Sequence, residues 1–435
     1  MLQCIVNITI QQVSDTDNNG DDNGRSKTFY IPFCNSYEVY SSWKNLSDTA
    51  VVEIPKNVYV TDENGEQVVW GDSTTADKQN GYINAGGFDN DEVSSPPLIM
   101  RGDMVTIEAG YSYISQVNLD GSLNYHTETH TLFQGFVSAL EMKSSIRIHC
   151  EDNMWMLKQT GMTDKTYGGD VSNDISDVLD DIVTQVNLIY PDNQISDDTY
   201  QFSLSVGNFS TAENETAADV LNKLKKLMPS MGFYFRGNVL RGGGIVYFPS
   251  DQSTGTDSDG NPLYPSFNFQ RNIISDALTY SQKSDINIGA KCYSINSATD
   301  SDNPTQNKMG VDQYTTKRLE VSVGDDNQGN ADAYEYYTFY FRDITDEDDL
   351  MQKGQTYLNR YHYDGFRGKF KTFGLPFVQH GNIIYLTDDI LPERDGHYMV
   401  KGVHYTYGIE SGMRQEIELH FRTDNIDDDI LSSGM

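Results

Sequence analysis

The chain has 435 residues and a formal net charge of −33, with 64 carboxylates against 31 Lys and Arg. That balance argues against a protein that grips nucleic-acid phosphates, and against an anionic membrane surface as partner. Hydrophobic residues make up 37%, much of it from 28 Tyr and 19 Phe, which favours β-structure with many solvent-facing strands.

The length suits roughly two to four domains. The N-terminal stretch from Leu2 to Ile10 alternates like a strand, so a cleaved leader is not expected. No apolar run approaches the roughly 20 residues of a membrane helix, so no membrane insertion is expected. Cys4, Cys34, Cys150 and Cys292 are widely spaced. They form no CxxC or Cys–His metal pattern, which predicts reduced thiols and synthesis in a cytosol.

Residues 1–160 read as β. Strands are predicted at Ile5–Ile10, Thr28–Pro32, Tyr37–Ser41, Ala50–Ile54 and Asn57–Val60. Two polar stretches, Ser14–Gly24 and about Asp62–Ser95, are too poor in apolar residues to pack and are expected to be exposed insertions. A β-module follows: Gly102–Glu108, a loop, Leu132–Val137 entered by Gly135, and Ser145–Cys150.

Residues 161–270 shift to α+β. Ile175, Val178, Leu179, Ile182, Val183 and Val186 recur at helical spacing, with Ser172, Asn173 and Asp174 as candidate N-caps. A second helix carries Ala217, Val220, Leu221, Leu224 and Met228. Thr216 and Asp219 pair at its start and Pro229 ends it. A hairpin through Phe233–Arg236, a Gly237-Asn238 turn and Val239-Leu240 comes next, then Ile245–Phe248.

Residues 271–425 return to β, with strands at Ala277–Tyr280, Ala290–Ile295, Leu319–Val323 and Phe370–Phe373. One helix interrupts them, capped by Thr345 with Asp348 and faced by Leu350, Gly354, Tyr357, Leu358 and Tyr361. The module then recurs as Gly381–Leu386, Asp395–Val400 and Arg414–Phe421. Residues 426–435 form an acidic tail expected to fray. The predicted class is mainly β: two tube-like β-barrel domains, at 1–160 and 271–425, around a small helix-hairpin domain.

The motifs resemble those of phage tail hub (baseplate hub) proteins and the related hubs of contractile injection systems, which include late control protein D. The resemblance rests on three groups of residues. The first is the G-D-x-V-x-I strand Gly102–Ile107, with Leu132–Val137 and Cys150-Glu151-Asp152 through Leu157-Lys158. The second is the helix and hairpin of Thr216–Leu240. The third is Gly396–Val403 with His404–Tyr407 and Gly412–Leu419. They keep order and spacing over about half the chain. The resemblance implies a homotrimer whose six tube-like domains form a pseudo-sixfold ring. Such a ring joins a hexameric tail tube protein or tail adaptor to a spike or fibre, and DNA passes its lumen without specific binding. It also implies a virion-tail location and no catalysis or cofactor.

Candidate chemistry is sparse. Asp15, Asp17 and Asn19, before Gly20, match the first half of a calcium loop. Ser26 stands where the chelating Glu belongs, and a hairpin loop is the commoner use of such a stretch. His126 and His130 could share a metal only on a helix, and their Thr-rich context reads as a strand, where they stand roughly 13 Å apart. Gly242-Gly243-Gly244 lacks the Lys-Ser/Thr of a phosphate cradle and reads as a hairpin turn. Acidic pairs such as Asp388-Asp389 and the run Glu347-Asp348-Asp349 read as solvated faces. Two other function classes stay open at this stage, a tail-tip cell-wall hydrolase and a β-rich adhesin or carbohydrate-binding protein.

Overall fold

The computed structural model describes residues 2–13, 27–55, 59–62, 64–65, 67–69, 99–117, 123–167, 174–198, 209–227, 232–243, 258, 260, 263–283, 288–298, 315–324, 335–342, 344, 346–359 and 361–424. Several expectations lie outside them: the Asp15, Asp17 and Asn19 loop, most of the two polar stretches, Ile245–Phe248, the Thr345 cap and the acidic tail.

The N-terminal third is β: β1 (Leu2–Gln11), β2 (Thr28–Ile31), β3 (Ser36–Ser42), β4 (Thr49–Pro55), β5 (Tyr59–Asp62), β6 (Gln67–Val69), β7 (Met104–Val117), β8 (Leu123–Met142) and β9 (Ser145–Glu151). The middle holds α1 (Met154–Gln159), β10 (Lys165–Tyr167), α2 (Ile175–Ile189), β11 (Ser196–Asp198), β12 (Phe209–Thr211), α3 (Ala217–Leu227), β13 (Gly232–Arg236) and β14 (Val239–Gly243). Then come β15 (Ser266–Asn268), β16 (Ile273–Ser281), β17 (Ile288–Ala298), β18 (Thr315–Gly324), β19 (Glu335–Arg342) and α4 (Glu347–Asn359). The chain finishes with β20 (Gly365–Phe373), β21 (Ile383–Thr387), β22 (Gly396–Gly408) and β23 (Gly412–Arg422).

One large sheet runs β16-β20-β23-β22-β3-β4-β9-β8-β7-β1-β2-β5-β6, with β21 on β22 and β15 on β21. Alternation decides its faces: in β4 and β9 every second residue is buried, as a period of two requires. The mainly β class stands. The two expected β-domains, however, share one sheet and one core, which runs from Val6 through Ile148 to Tyr398 and Phe421.

The middle unit packs a second core from α1, α2 and α3 against the hairpin β13–β14. Asp174 is the N-cap of α2, its side chain accepting from the Ser176 amide. Thr216 and Asp219 form the reciprocal capping pair of α3, at 3.0 and 3.1 Å, and satisfy amides that a helix start leaves free. Gly242 and Gly243 are strand residues opposite Phe233 and Gly232, not a turn. A Cβ on Gly242 would sit 3.0 Å from the Phe233 ring and 3.2 Å from Leu179, so that glycine lets helix and hairpin close up.

A third core lies within 271–425. Strands β18-β17-β19 make a separate sheet, and α4 packs Leu350, Gly354 and Leu358 on it. The cap of α4 is Asp346, which accepts from the Asp348 and Asp349 amides. No helix among the described residues is long and apolar enough to cross a membrane.

Candidate assembly interface

The written-twice module is a physical repeat. Each copy is an antiparallel three-strand meander, β7-β8-β9 and β21-β22-β23. Each is entered by the same turn. The Gly102 amide donates to the Val137 carbonyl at 2.8 Å and the Val137 amide to the Asp103 carbonyl at 2.8 Å. In the second copy Gly381 donates to Val400 and Val400 to Asn382, also at 2.8 Å each. Gly102 and Gly381 both take positive φ, 96° and 81°, a conformation glycine adopts without a Cβ clash. The turn is closed by a side chain in both copies: Asp103 accepts from the Met100 amide at 2.6 Å, and Asn382 from Gln379 at 2.7 Å. A bulge follows each valine, between Val137 and Ala139 and between Val400 and Gly402.

Alignment through Val137 and Val400 extends the match outward. β4 lies on β9 as β20 lies on β23, and β3 lies on β4 as β16 lies on β20. β1 borders β7 antiparallel, whereas β15 borders β21 parallel, so the repeat breaks at that edge. It also differs in detail: Gly135 in the first copy stands where the second has Tyr398.

The copies meet along a seam. β3 pairs with the second half of β22 over seven positions, from Ser36↔Gly408 to Ser42↔Gly402. Val39, Ser41, Val403 and Tyr405 are buried there, and Tyr40 packs on His404 with ring centroids 5.2 Å apart. The Ser42 hydroxyl donates across the seam to the Lys401 carbonyl at 3.1 Å.

Behind the seam a polar network joins three parts of the chain. The Ser41 hydroxyl donates to Asp48 at 2.6 Å, and its oxygen lies 2.6 Å from His380 Nδ1. Since that hydroxyl proton goes to Asp48, His380 carries its proton on Nδ1, which donates to Ser41. Burial, followed by the charges of Arg236 and Arg241, holds His380 far below the usual histidine range, so it is neutral. Arg236, from β13 of the middle unit, donates to the His380 carbonyl at 2.6 Å. Asp48 also accepts from the Ser42 amide at 3.0 Å, while its carbonyl accepts from the Asp152 amide at 3.1 Å. Burial pushes both carboxyls up, and at Asp152 the neighbouring Asp48 charge adds to it. The serine sits between the carboxylate and the histidine, so the proton relay of a nucleophilic triad, which needs the histidine in the middle, is not built.

Other sequence candidates have structural partners. His126 and His130 lie on β8 opposite Tyr113 and Ala109. His130 contacts Glu128 at 3.0 Å and stacks on Phe377 at 4.4 Å, and strand geometry keeps the two histidines apart. Asp388 caps its own loop, accepting from Ile390 and Leu391 amides and from Gln270, and Asp389 pairs with Arg271 at 3.1 Å. Glu347, Asp348 and Asp349 occupy the first turn of α4, where carboxylates suit the helix dipole. Among the described residues no group of three or more His, Cys, Asp or Glu is placed to hold a metal. Nothing in the local sequence pointed to Ser41, Asp48, His380 or Arg236.

No family model matches the sequence, and no curated protein matches it. Solved structures do. The tail protein from Neisseria meningitidis MC58 is 12% identical over 99% of this chain and 99% of its own, with a TM-score of 0.52. The 43 kDa tail protein of prophage MuSo2 from Shewanella oneidensis is 11% identical over 96% and 98%, at 0.49. A type VI secretion system component from E. coli is 8% identical over 96% and 78%, at 0.44. The chain shares the fold of the Neisseria tail protein along its whole length.

Proposed function

We propose that the chain is a structural hub of a phage or phage-like tail, a homotrimer whose six module copies form a pseudo-sixfold ring. The carrying observation is the atomic repeat: two meanders with the same Gly-Asp/Asn turn and the same bulge, in one chain with a tail-protein fold. A threefold spike and a sixfold tube cannot share one self-consistent interface. A subunit that presents two near-equivalent surfaces resolves the mismatch, because three chains then offer six.

On this reading one face of the ring meets a hexameric tail tube protein or adaptor, the other a spike or fibre. DNA passes the lumen, and the net charge of −33 favours sliding over sticking. The protein is made in a host cytoplasm and ends in the virion tail. It works by assembly, without catalysis or cofactor; the polar groups behind the seam are consumed in holding its parts together. Light scattering on the purified chain tests the trimer, with a mass of one chain refuting it. Zymography on peptidoglycan tests the absence of hydrolysis, and a cleared zone would refute that part.

A further inference from the structure

The repeat leaves one strand pairing made and its counterpart unmade. Within the chain, β3 of the first copy lies on the free half of β22 in the second. The counterparts of these strands are β16 and the second half of β8. Among the described residues, β16 pairs with β20 alone, and Ala139–Met142 of β8 pairs with β9 alone. Among the described residues neither outer edge has a second strand partner, and the Leu278 amide of β16 is met only by its own neighbour Asp276 at 3.4 Å, so both edges are templates for another strand.

We infer that β16 of one chain pairs antiparallel with Ala139–Met142 of a second copy, repeating the β3–β22 seam between subunits; this rests on the trimeric reading above. The repeat fixes the register. Val51 faces His149 as Lys369 faces Glu418, which sets Val39 equivalent to Leu278 and Ser41 to Tyr280. Ala139 faces His149 as Gly402 faces Glu418, which sets Leu140 equivalent to Val403. Since Val403 faces Ser41, Leu140 faces Tyr280 of the neighbour, Ala139 faces Ser281, and Met142 faces Leu278. The new seam is shorter than the internal one because the β8–β9 hairpin turns directly after Met142.

Side chains agree with an uncovered seam. Val39, Ser41, Val403 and Tyr405 are buried where the internal seam is made. Leu140, Leu278 and Tyr280, at or beside the equivalent positions, are only half-buried against the same core. The sheet from β16 to β8 thus has a donor edge at one end and an acceptor edge at the other. A head-to-tail contact of this kind closes a ring when its rotation returns to the start, and closure removes both edges.

The test is disulfide trapping of the full chain carrying Cys4→Ser, with Leu140→Cys and Tyr280→Cys together. Directly opposed strand positions lie within disulfide reach. Oxidation is expected to give a covalent ladder ending at three chains on a non-reducing gel. The off-register pair Leu140→Cys with Ile274→Cys, roughly 20 Å along the strand, is expected to stay monomeric on that gel. Hydrogen exchange on the wild type avoids the variants: the amides of Leu278–Ser281 are expected to lose their fast-exchanging alternate class in the oligomer. A trimer by light scattering with fast alternate amides and no ladder overturns this seam and leaves the trimer standing. A single-chain mass overturns both.

Discussion

A Cβ at Gly135 would stand 2.1 Å from the Glu151 carbonyl oxygen and 2.7 Å from Asp152 Cα. Those are backbone atoms of the neighbouring strand end, so they cannot swing aside as a side-chain tip does. Gly135→Ala must push β9 away from β8 next to Asp152, whose carboxylate accepts from Ser47 at 2.9 Å and from the Met154 amide at 3.1 Å. Overpacking of a closed core costs roughly 1–3 kcal/mol. At about 2–4 °C per kcal/mol for units of this size, the melting temperature should fall by roughly 2–12 °C. Gly161→Ala is the control, because a Cβ there meets nothing within 4 Å; it should move the melt by no more than about 1 °C. Differential scanning fluorimetry of the two variants beside the wild type gives the comparison. Equal melts for all three would refute the close β8–β9 approach and the module geometry built on it.

Further outcomes follow from the same structure. Val137→Asp and Ile148→Asp each put a charge at a fully buried position and should abolish soluble folded protein, as read by circular dichroism; native spectra would contradict the core assignment. Burial, and then the neighbouring Asp48 charge, raises the folded pKa of Asp152 above its unfolded value. Its contribution to stability is complete below the ordinary carboxylate range of about 4 and is lost as pH rises through the raised folded value. Melting curves from about pH 5 to pH 9 should fall in the wild type and fall less steeply in Asp152→Asn, where the raised Asp48 remains; parallel curves would contradict the buried site. Burial pushes the Cys34 and Cys292 thiols up to about 12 and raises Cys150 further. A thiol reagent should therefore modify only Cys4 in the native protein and all four cysteines after unfolding.

Local signals in the sequence carried local structure. Asp174 before an apolar stripe, and Thr216 with Asp219, became helix starts where expected, because capping is decided within a few residues. Alternation located β4 and β9. The aromatic run of β19 carries no such alternation, and the Asp346 carboxylate meets the first-turn amides of α4. Gly135 lies in the middle strand of the first copy, and the hydrogen-bond pattern aligns it with Tyr398 of the second. That glycine answers a clash with Glu151, and a sequence pattern cannot express that clash.

Long-range facts were the least legible. Ser41 and His380 are 339 positions apart, and no spacing rule links them. The β3–β22 seam joins strands from opposite ends of the chain, so the two expected β-domains turned out to share a sheet. The third core of β17, β18, β19 and α4 was likewise hidden, since its strands read like any other β-segment.

The most direct test of the central claim combines mass and symmetry of the intact chain. Multi-angle light scattering followed by two-dimensional class averages should give three chains and a ring of six lobes. A single-chain mass at every concentration, or a ring with three lobes, would contradict it.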